Sequence, residues 1–446
     1  MRYWLGVLYQ TLLQDRQGWV MAEKTVAIVG AGIIGITSAY LLRRAGYRVI
    51  LIDAEDGPAL KSSYANGCQL SYSYIDAMSS PSLIKKVPKI LLGKDPAFRI
   101  KLSPDLSFIS WGSKFLLNGQ AQQEQLNTRA LLRLALHSKQ VLDTLLSQSD
   151  FSFDHRVSGK LLIYTNKADL DKAATRVGQK QQWGCKQELL NQQQCIELEP
   201  SLRHLSKPII GGIYSAIDAV GDPFQFSHQL LKRMESDQGF TAHFNCQVTR
   251  IIKLQHSITS LETTRGKIEA DAYVWATGSE SLNLLKQVGI KLPIYPIKGY
   301  SITVPATEYA PRICVTDVDN KVVVSRVGDK LRIAGCADIV GHSRDKDQTR
   351  IEHLLSVAQQ NFPKAGRYSE ILHTWAGMRP VTPSSVPIIG KAGAENLFVN
   401  IGHGMLGWTL ALGSASLLTT QIEQQQPPID NHGMRPTDHG IGKFHG

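Results

Sequence analysis

The segment Thr25–Val29 is a run of apolar and β-branched residues that breaks off at a cluster of glycines, and from Ile33 to Arg44 apolar positions recur at helical spacing. That succession predicts strand, turn and helix. A second apolar run over residues 47–52 stops at Asp53 and completes a βαβ unit of about thirty residues, which implies a parallel sheet with helices on its faces. Residues 62–74 are polar and aromatic without a sustained period, and read as a loop close to a ligand. A long helical pattern covers residues 126–146. Residues 160–164, 211–214, 300–304, 322–327 and 331–334 read as strands of a second, mostly antiparallel sheet. A helix over 223–234 and strands at 248–254 and 272–276 suit the first unit better, so the two units interleave along the chain.

Gly30-Ala31-Gly32-Ile33-Ile34-Gly35, entered from Val29, has the spacing G-x-G-x-x-G. The first glycine permits a tight turn, the second lets a pyrophosphate approach the backbone, and the third lets the helix pack on the strand. With 37 glycines in 446 residues, roughly 0.25 such matches arise by accident, so the motif alone is weak. Its place at a strand-to-helix junction strengthens it. So does Asp53, at the end of the next strand, where a carboxylate accepts both ribose hydroxyls and repels a 2′-phosphate. The competing reading is a turn kept only for close packing. A second match, Gly402-His403-Gly404-Met405-Leu406-Gly407, follows the apolar run Leu397–Ile401 and opens a helix at Trp408. Two such turns suggest one long dinucleotide, the second helix aiming its positive end at the ligand's far ring system. Here too a packing turn is the alternative.

At 446 residues the chain outgrows one hydrophobic core, which favours two joined domains. The net charge of +11 suits anionic partners such as phosphates, carboxylates or an anionic membrane face. Lysine and arginine occur only in short pairs such as Arg43-Arg44 and Lys85-Lys86, which argues against nucleic acid. No apolar run is long enough to span a bilayer. The opening Tyr3-Trp4-Leu5-Gly6-Val7-Leu8-Tyr9 lacks a signal-peptide cleavage site and precedes Met21; it reads either as a spurious or frayed extension or as an interfacial anchor. The six cysteines, Cys68, Cys185, Cys195, Cys246, Cys314 and Cys336, show no metal-ligand spacing and read as reduced thiols.

Beyond the first glycine turn, the chain carries Ser63-Tyr64-Ala65-Asn66-Gly67, Asp271-Ala272-Tyr273-Val274-Trp275-Ala276-Thr277-Gly278, Tyr295-Pro296-Ile297-Lys298-Gly299-Tyr300-Ser301, Gly377-Met378-Arg379-Pro380-Val381-Thr382-Pro383, and Gly402 through Trp408 with Thr409. Together these resemble the glycine oxidase and D-amino acid oxidase superfamily, its dehydrogenase branch above all, over residues 25–418. The resemblance implies a Rossmann-like FAD-binding domain interleaved with a substrate domain on a mostly antiparallel sheet. The expected division is 23–80, 209–290 and 365–425 for FAD, 81–208 and 291–364 for substrate, 1–22 as an extension and 426–446 as a flexible tail. FAD is expected to be noncovalent, held by Val29, Gly30, Ala31, Gly32, Ile33, Ile34, Gly35, Asp53, Ser63, Asn66, Gly67, Ala276, Gly278, Gly402, His403, Gly404, Leu406 and Gly407. His403 is read as lining the flavin by its backbone rather than as a base.

The activity so implied is oxidative deamination of a D-amino acid, D-alanine first, to a 2-oxo acid and ammonia, with hydride passing from Cα to flavin N5. Arg379 would anchor the substrate carboxylate, the alternative being a structural salt bridge; Tyr300, and less directly Tyr72 or Tyr74, would add a hydroxyl. The electrons would pass to a respiratory quinone or similar acceptor, which places the protein peripherally on the cytoplasmic side of a bacterial inner membrane, the alternative being the cytoplasm. A further subunit or a homo-oligomer stays open. Rival readings are an FAD enzyme for glycine, sarcosine or a 2-hydroxy acid, and a non-catalytic flavoprotein subunit. The chain departs from the family at Ser384-Ser385, where relatives carry Asp-Gly, and carries Cys68 and Gln69 in the loop near the flavin; both bear on the pocket's side-chain preference.

Overall fold

The computed structural model describes residues 24–442, so the reading of residues 1–22 as extension or anchor lies outside the described residues. Strand Thr25–Val29 lies inside a six-stranded sheet whose order is Ile388–Lys391, Leu397–Ile401, Ala272–Trp275, Thr25–Val29, Arg48–Ile52 and Phe240–His243. All neighbours are parallel except the edge hairpin of Ile388–Lys391 on Leu397–Ile401. Beyond Thr25 this central strand is apolar because both its faces are covered. Val26 and Ile28 point into a cluster with Ile36, Leu134, Leu230 and Leu410 on the helical side. Ala27 and Val29, on the alternate face, pack with Val248, Ile251, Leu261 and Trp275 on the other. Each such fully buried branched side chain stabilises the layer by about 1.5–3 kcal/mol.

The second sheet has nine strands, in the order His373–Val381, Tyr295–Pro305, Lys330–Ile339, Val322–Val327, Cys314–Asp317, Lys160–Tyr164, Gly211–Ser215 and Glu188–Asn191, with Phe98–Ile100 also on Lys330–Ile339. It is antiparallel but for two pairs, Cys314–Asp317 with Lys160–Tyr164 and Phe98–Ile100 with Lys330–Ile339. Helix Gln348–Asn361 covers its back through Ile351, Leu354 and Ala358. The interleaved α/β architecture expected from the sequence is therefore the observed one.

Several boundaries differ. Strand Gly211–Ser215 joins the second sheet, as its pattern indicated, although the division at 209 had placed it with the FAD-binding segments; His373–Val381, expected with those segments, is hydrogen-bonded into the second sheet as well. Strand Val248–Leu254 packs with the first unit without joining its sheet, forming a three-stranded antiparallel meander with Ser257–Thr263 and Gly266–Ile268 against a face of that sheet. Helix Ala121–Gln148, expected in the substrate domain, packs on helix Gly407–Ile422 of the first layer, and Gly413 makes the contact close, since a Cβ there would stand 2.7 Å from the Leu134 carbonyl oxygen. The tail expected to be flexible instead folds back over its described part, residues 426–442. Met434 is fully buried in the main core, and its carbonyl accepts from the Ile389 N–H at 2.8 Å, covering the edge strand of the first sheet. All six cysteines are free and buried.

Burial makes the fold acid-sensitive. His137, which shares a 3.0 Å hydrogen bond with Ser416 between the two packed helices, is pushed down to about 4. His439 in the tail is pushed down to about 4, and His403 to about 3. In the unfolded chain such groups titrate near ~6.5. Between these values the unfolded state binds protons that the native state refuses, so stability is lost as pH falls from about 7 to about 5. Asp218, pushed up to about 6 by burial, works in the opposite direction, because there the native state holds the extra proton. Burial also lowers His155, His353 and His373 and raises Glu124 and Asp222; the histidines outnumber the carboxyls, and a melting temperature lower by several degrees at pH 5 than at pH 7 is expected. His137→Gln should shrink that difference; melting that is flat across the window in the parent would contradict the account.

Candidate active site

A cavity of about 640 Å³ lies between the two sheets, within the ~300–1,000 Å³ usual for ligand sites. Of the residues singled out from the sequence, Val29, Gly30, Gly32, Ile33, Ile34, Asp53, Ser63, Asn66, Gly67, Ala276, Gly278, Gly402, His403, Gly404, Leu406, Gly407, Tyr300 and Arg379 all line it, and Ala31 and Gly35 do not.

The first turn separates two kinds of glycine. Gly30 has φ +104°, and a Cβ there would stand 2.7 Å from the Ala276 carbonyl oxygen; a Cβ on Gly35 would overlap the Gly30 carbonyl. Both are needed by the fold itself. At Gly32 a Cβ would meet only Ser63 Oγ, at 3.7 Å; the remaining space is cavity. Helix Ile33–Arg44 begins there with no acidic residue in its first turn, and Ser63 Oγ accepts from the Ile33 N–H at 3.1 Å. Asp53 Oδ2 accepts from Ala31 N–H at 2.5 Å and Oδ1 from Glu55 N–H at 2.9 Å. Each oxygen keeps acceptor capacity toward the cavity, as vicinal ribose hydroxyls require. Ala31 thus sits behind the wall and steadies the carboxylate.

At the second turn Gly402 and Gly404 have φ +86° and +56°. Helix Gly407–Ile422 starts there, again with no acidic residue in its first turn and no side-chain cap, so its positive end faces the cavity uncompensated. His403 is buried, and its Nε2 has no hydrogen-bond partner among the described residues. Together with the open face of Gly32, this orphaned atom fits a polar ligand extending from one turn to the other. The loop of residues 62–74 is tied down between the sheets: Asn66 Oδ1 accepts from Cys68 N–H at 2.9 Å, and the Gly67 carbonyl accepts from Ser325 Oγ at 3.1 Å.

Arg379, from strand His373–Val381, reaches across Gly299, where any Cβ would overlap its guanidinium. Its Nη1 donates to the Cys336 carbonyl at 2.9 Å. No carboxylate pairs with it among the described residues, so the salt-bridge alternative is not what the structure contains. Burial pulls its pKa down, a sign of a cation short of a counterion. Tyr300 departs from expectation. Its ring is buried in the core beneath the second sheet, and its hydroxyl donates to Asp338 Oδ2 at 3.1 Å, the carboxylate that Arg350 also grips. Burial and that carboxylate push its pKa up. A hydroxyl so committed is not available to a ligand carboxylate. Tyr72 is buried in the main core away from the cavity, whereas Tyr74 lines it.

Lys160 was not anticipated. It opens strand Lys160–Tyr164, lines the cavity and is 2% exposed. Its Nζ donates to Gln69 Oε1 at 2.7 Å and to Ser71 Oγ at 3.0 Å, and stands 4.5 Å over the Tyr74 ring. Burial draws its pKa down. The one available signal was a lysine leading an otherwise apolar strand, Lys160-Leu161-Leu162-Ile163-Tyr164. The Ser384-Ser385 departure also has a physical reading. Ser385 sits at φ +68°, a conformation glycine adopts without strain, and its Oγ offsets part of that cost by accepting from Met78 N–H at 2.9 Å.

Residues 25–421 match the family model described as FAD dependent oxidoreductase. Over 420 residues the chain is 35% identical to D-amino acid dehydrogenase of Allorhizobium ampelinum, covering 94% of this chain and 99% of that protein. Over 414 residues it is 37% identical to D-amino acid dehydrogenase 2 of Ralstonia nicotianae, covering 91% and 97%. Among solved structures, glycine oxidase from Geobacillus kaustophilus is similar with a TM-score of 0.73 at 20% identity, covering 95% of this chain and 100% of that one. L-proline dehydrogenase from P. horikoshii gives 0.73 at 15% identity, covering 94% and 99%. The structural likeness establishes the fold.

Proposed function

The chain belongs to the family of FAD-dependent oxidoreductases, and from that membership we propose that it oxidises D-amino acids, D-alanine among them, to 2-oxo acids and ammonia. The observation that carries this is the unpaired guanidinium of Arg379 on the wall of the cavity that the two glycine turns also line. FAD, when bound, supplies the acceptor for the hydride, which carries both electrons of the oxidation. Gly30 and Gly32 with the helix end at Ile33 would hold its pyrophosphate, Asp53 its ribose, and the loop from Ser63 to Gly67 with Ala276 and Gly278 would border it. The second turn, Gly402 to Gly407, would lend the positive end of its helix to the ring system.

Arg379 would clamp the substrate carboxylate bidentately, fixing the direction of the Cα–H bond. Its contact with the Cys336 carbonyl restricts its rotamer before any ligand arrives. Loss of Cα–H as hydride from the neutral amine leaves an imino acid, and water then releases ammonia and the 2-oxo acid. No side-chain base is needed for that step, and His403, held neutral by burial, lines the site without exchanging a proton. The six-stranded sheet and its helices would form the FAD-binding domain, and the nine-stranded sheet the substrate domain. Electrons would leave for a membrane quinone, with the enzyme attached peripherally to the inner membrane's cytoplasmic face.

Anaerobic mixing of the FAD-loaded protein with D-alanine, L-alanine and glycine, followed by flavin absorbance, tests the reading. D-alanine is expected to bleach the flavin at least about tenfold faster than either of the others, the discrimination one well-formed pocket contact gives. Faster bleaching by glycine would transfer the assignment to a glycine-oxidising enzyme, and a flavin that stays yellow with every amino acid would end the catalytic reading.

A further inference from the structure

Sixteen large apolar side chains stand exposed among the described residues, and seven of them fall between Leu91 and Leu117, which makes a patch rather than scatter. Leu92, Leu102 and Leu106 are the most open, at 70%, 71% and 79%. The stretch contains helices Pro81–Leu91 and Leu106–Asn118. The second is apolar on both sides. Trp111 and Phe115 face inward, Trp111 Nε1 donating to the Val381 carbonyl at 2.8 Å. Leu106, Ile109, Leu116 and Leu117 recur at helical spacing on the outward face. Leu83 of the first helix packs on the same small cluster as Trp111, Phe115, Tyr295 and Ile297, so the outward faces of the two helices form one surface.

Charge says what covers it. Lys85, Lys86, Lys89, Lys94, Lys101 and Lys114 are interspersed with these leucines along the stretch and exposed, and have no acidic partner within ion-pair distance among the described residues, while Arg99 is paired with Asp347. The stretch holds two acids: Asp95 is engaged by Lys321, and Asp105 caps the second helix. A two-fold contact with another copy would press this uncompensated positive charge against an identical patch. An anionic lipid surface instead neutralises them while taking up the leucines.

We propose that the surface of residues 81–119, where exposed leucines and lysines without acidic partners occur together, docks the enzyme on an anionic bilayer. No helix among the described residues is long and apolar enough to cross one, so attachment here is interfacial. Ser82, Leu83 and Lys86 of the first helix also line the active-site cavity, which brings that cavity within about one helix diameter, ~10 Å, of the membrane plane. The purpose assigned to this docking, access of a lipid-dissolved acceptor, rests on the proposed function; the docking itself does not.

Flotation of the FAD-loaded full chain with vesicles of mixed phosphatidylglycerol and phosphatidylethanolamine tests it, with pure phosphatidylcholine vesicles alongside. The parent is expected to float with the anionic vesicles and to bind about tenfold or more weakly to phosphatidylcholine or at high salt. The variant Leu102→Ser/Leu106→Ser/Leu117→Ser should lose about tenfold or more of the anionic binding, with flavin content and turnover with a soluble dye unchanged, and Leu254→Ser, elsewhere on the surface, should lose none. A parent that does not float, or a triple variant that floats as the parent does, overturns the proposal. So does light scattering that shows the triple change splitting a dimer without altering vesicle binding. Dye turnover with D-alanine reports on the catalytic reading separately, whatever the vesicles show.

Discussion

Arg379→Leu is expected to purify yellow, with its flavin in place, and to lose about 10³-fold in kcat/KM for D-alanine, the size of effect expected when one partner of a desolvated charge pair is removed. The reasoning starts from the strand. Ile297 stands opposite Arg379 in the pairing of Tyr295–Pro305 with His373–Val381, and the glycine two residues on, Gly299, leaves room for the guanidinium to lie flat over the sheet. A single backbone carbonyl holds one end of the fork; the rest of its donors have no protein carboxylate to satisfy them. A substrate carboxylate would supply the missing charge and, being planar, would be oriented as well as bound. Orientation matters to kcat and charge to KM, so both should worsen. Arg379→Lys restores the charge without the fork and should recover KM better than kcat. Unchanged catalytic efficiency in the leucine variant would remove Arg379 from the site, and loss of flavin would reassign it to holding the fold together.

The two ends of this site were legible in the sequence to different degrees, for physical reasons. The dinucleotide half is local. Strand, three glycines, helix and a carboxylate at the next strand's end lie within residues 25–53, and the covalent chain brings them together with little help from elsewhere, so their spacing carried the information. The substrate half is not local. Arg379 meets Cys336 across a sheet, and Lys160 meets Gln69 and Ser71 across 91 and 89 residues of chain; no periodicity encodes such a meeting. The same holds for Tyr300, which lines the cavity but whose hydroxyl is committed to Asp338, the carboxylate that Arg350 also holds. Errors in domain assignment have this origin too. Strand His373–Val381 has no pattern that ties it to either sheet, and only its hydrogen bonds to Tyr295–Pro305 decide where it belongs. Helix Ala121–Gln148 shows its apolar stripe plainly, yet nothing in the stripe says that it closes on Gly413.

Gly32→Val is expected to fold and to be colourless. The three glycines of the first turn make this a discriminating test, because two of them answer to the protein and one to the ligand. A side chain at Gly30 would collide with the Ala276 carbonyl, and one at Gly35 with the Gly30 carbonyl; those substitutions threaten the strand-to-helix turn itself. At Gly32 the backbone stands at φ −63° and ψ 175°, which any residue adopts. The nearest protein atom to a new Cβ is Ser63 Oγ at 3.7 Å, ordinary contact. Valine therefore costs the empty protein little, and its methyl groups occupy the space where a pyrophosphate must come against the N–H groups of Gly32 and Ile33. Losing those charge-assisted hydrogen bonds, together with the overlap, should weaken FAD by about 10³-fold or more, a loss of roughly 4 kcal/mol. Visible absorbance of the purified variant and its titration with FAD measure this, and circular dichroism matching the parent shows that the fold persists. A folded Gly32→Val protein that retains its yellow colour would mean that the dinucleotide does not lie at the amino end of helix Ile33–Arg44.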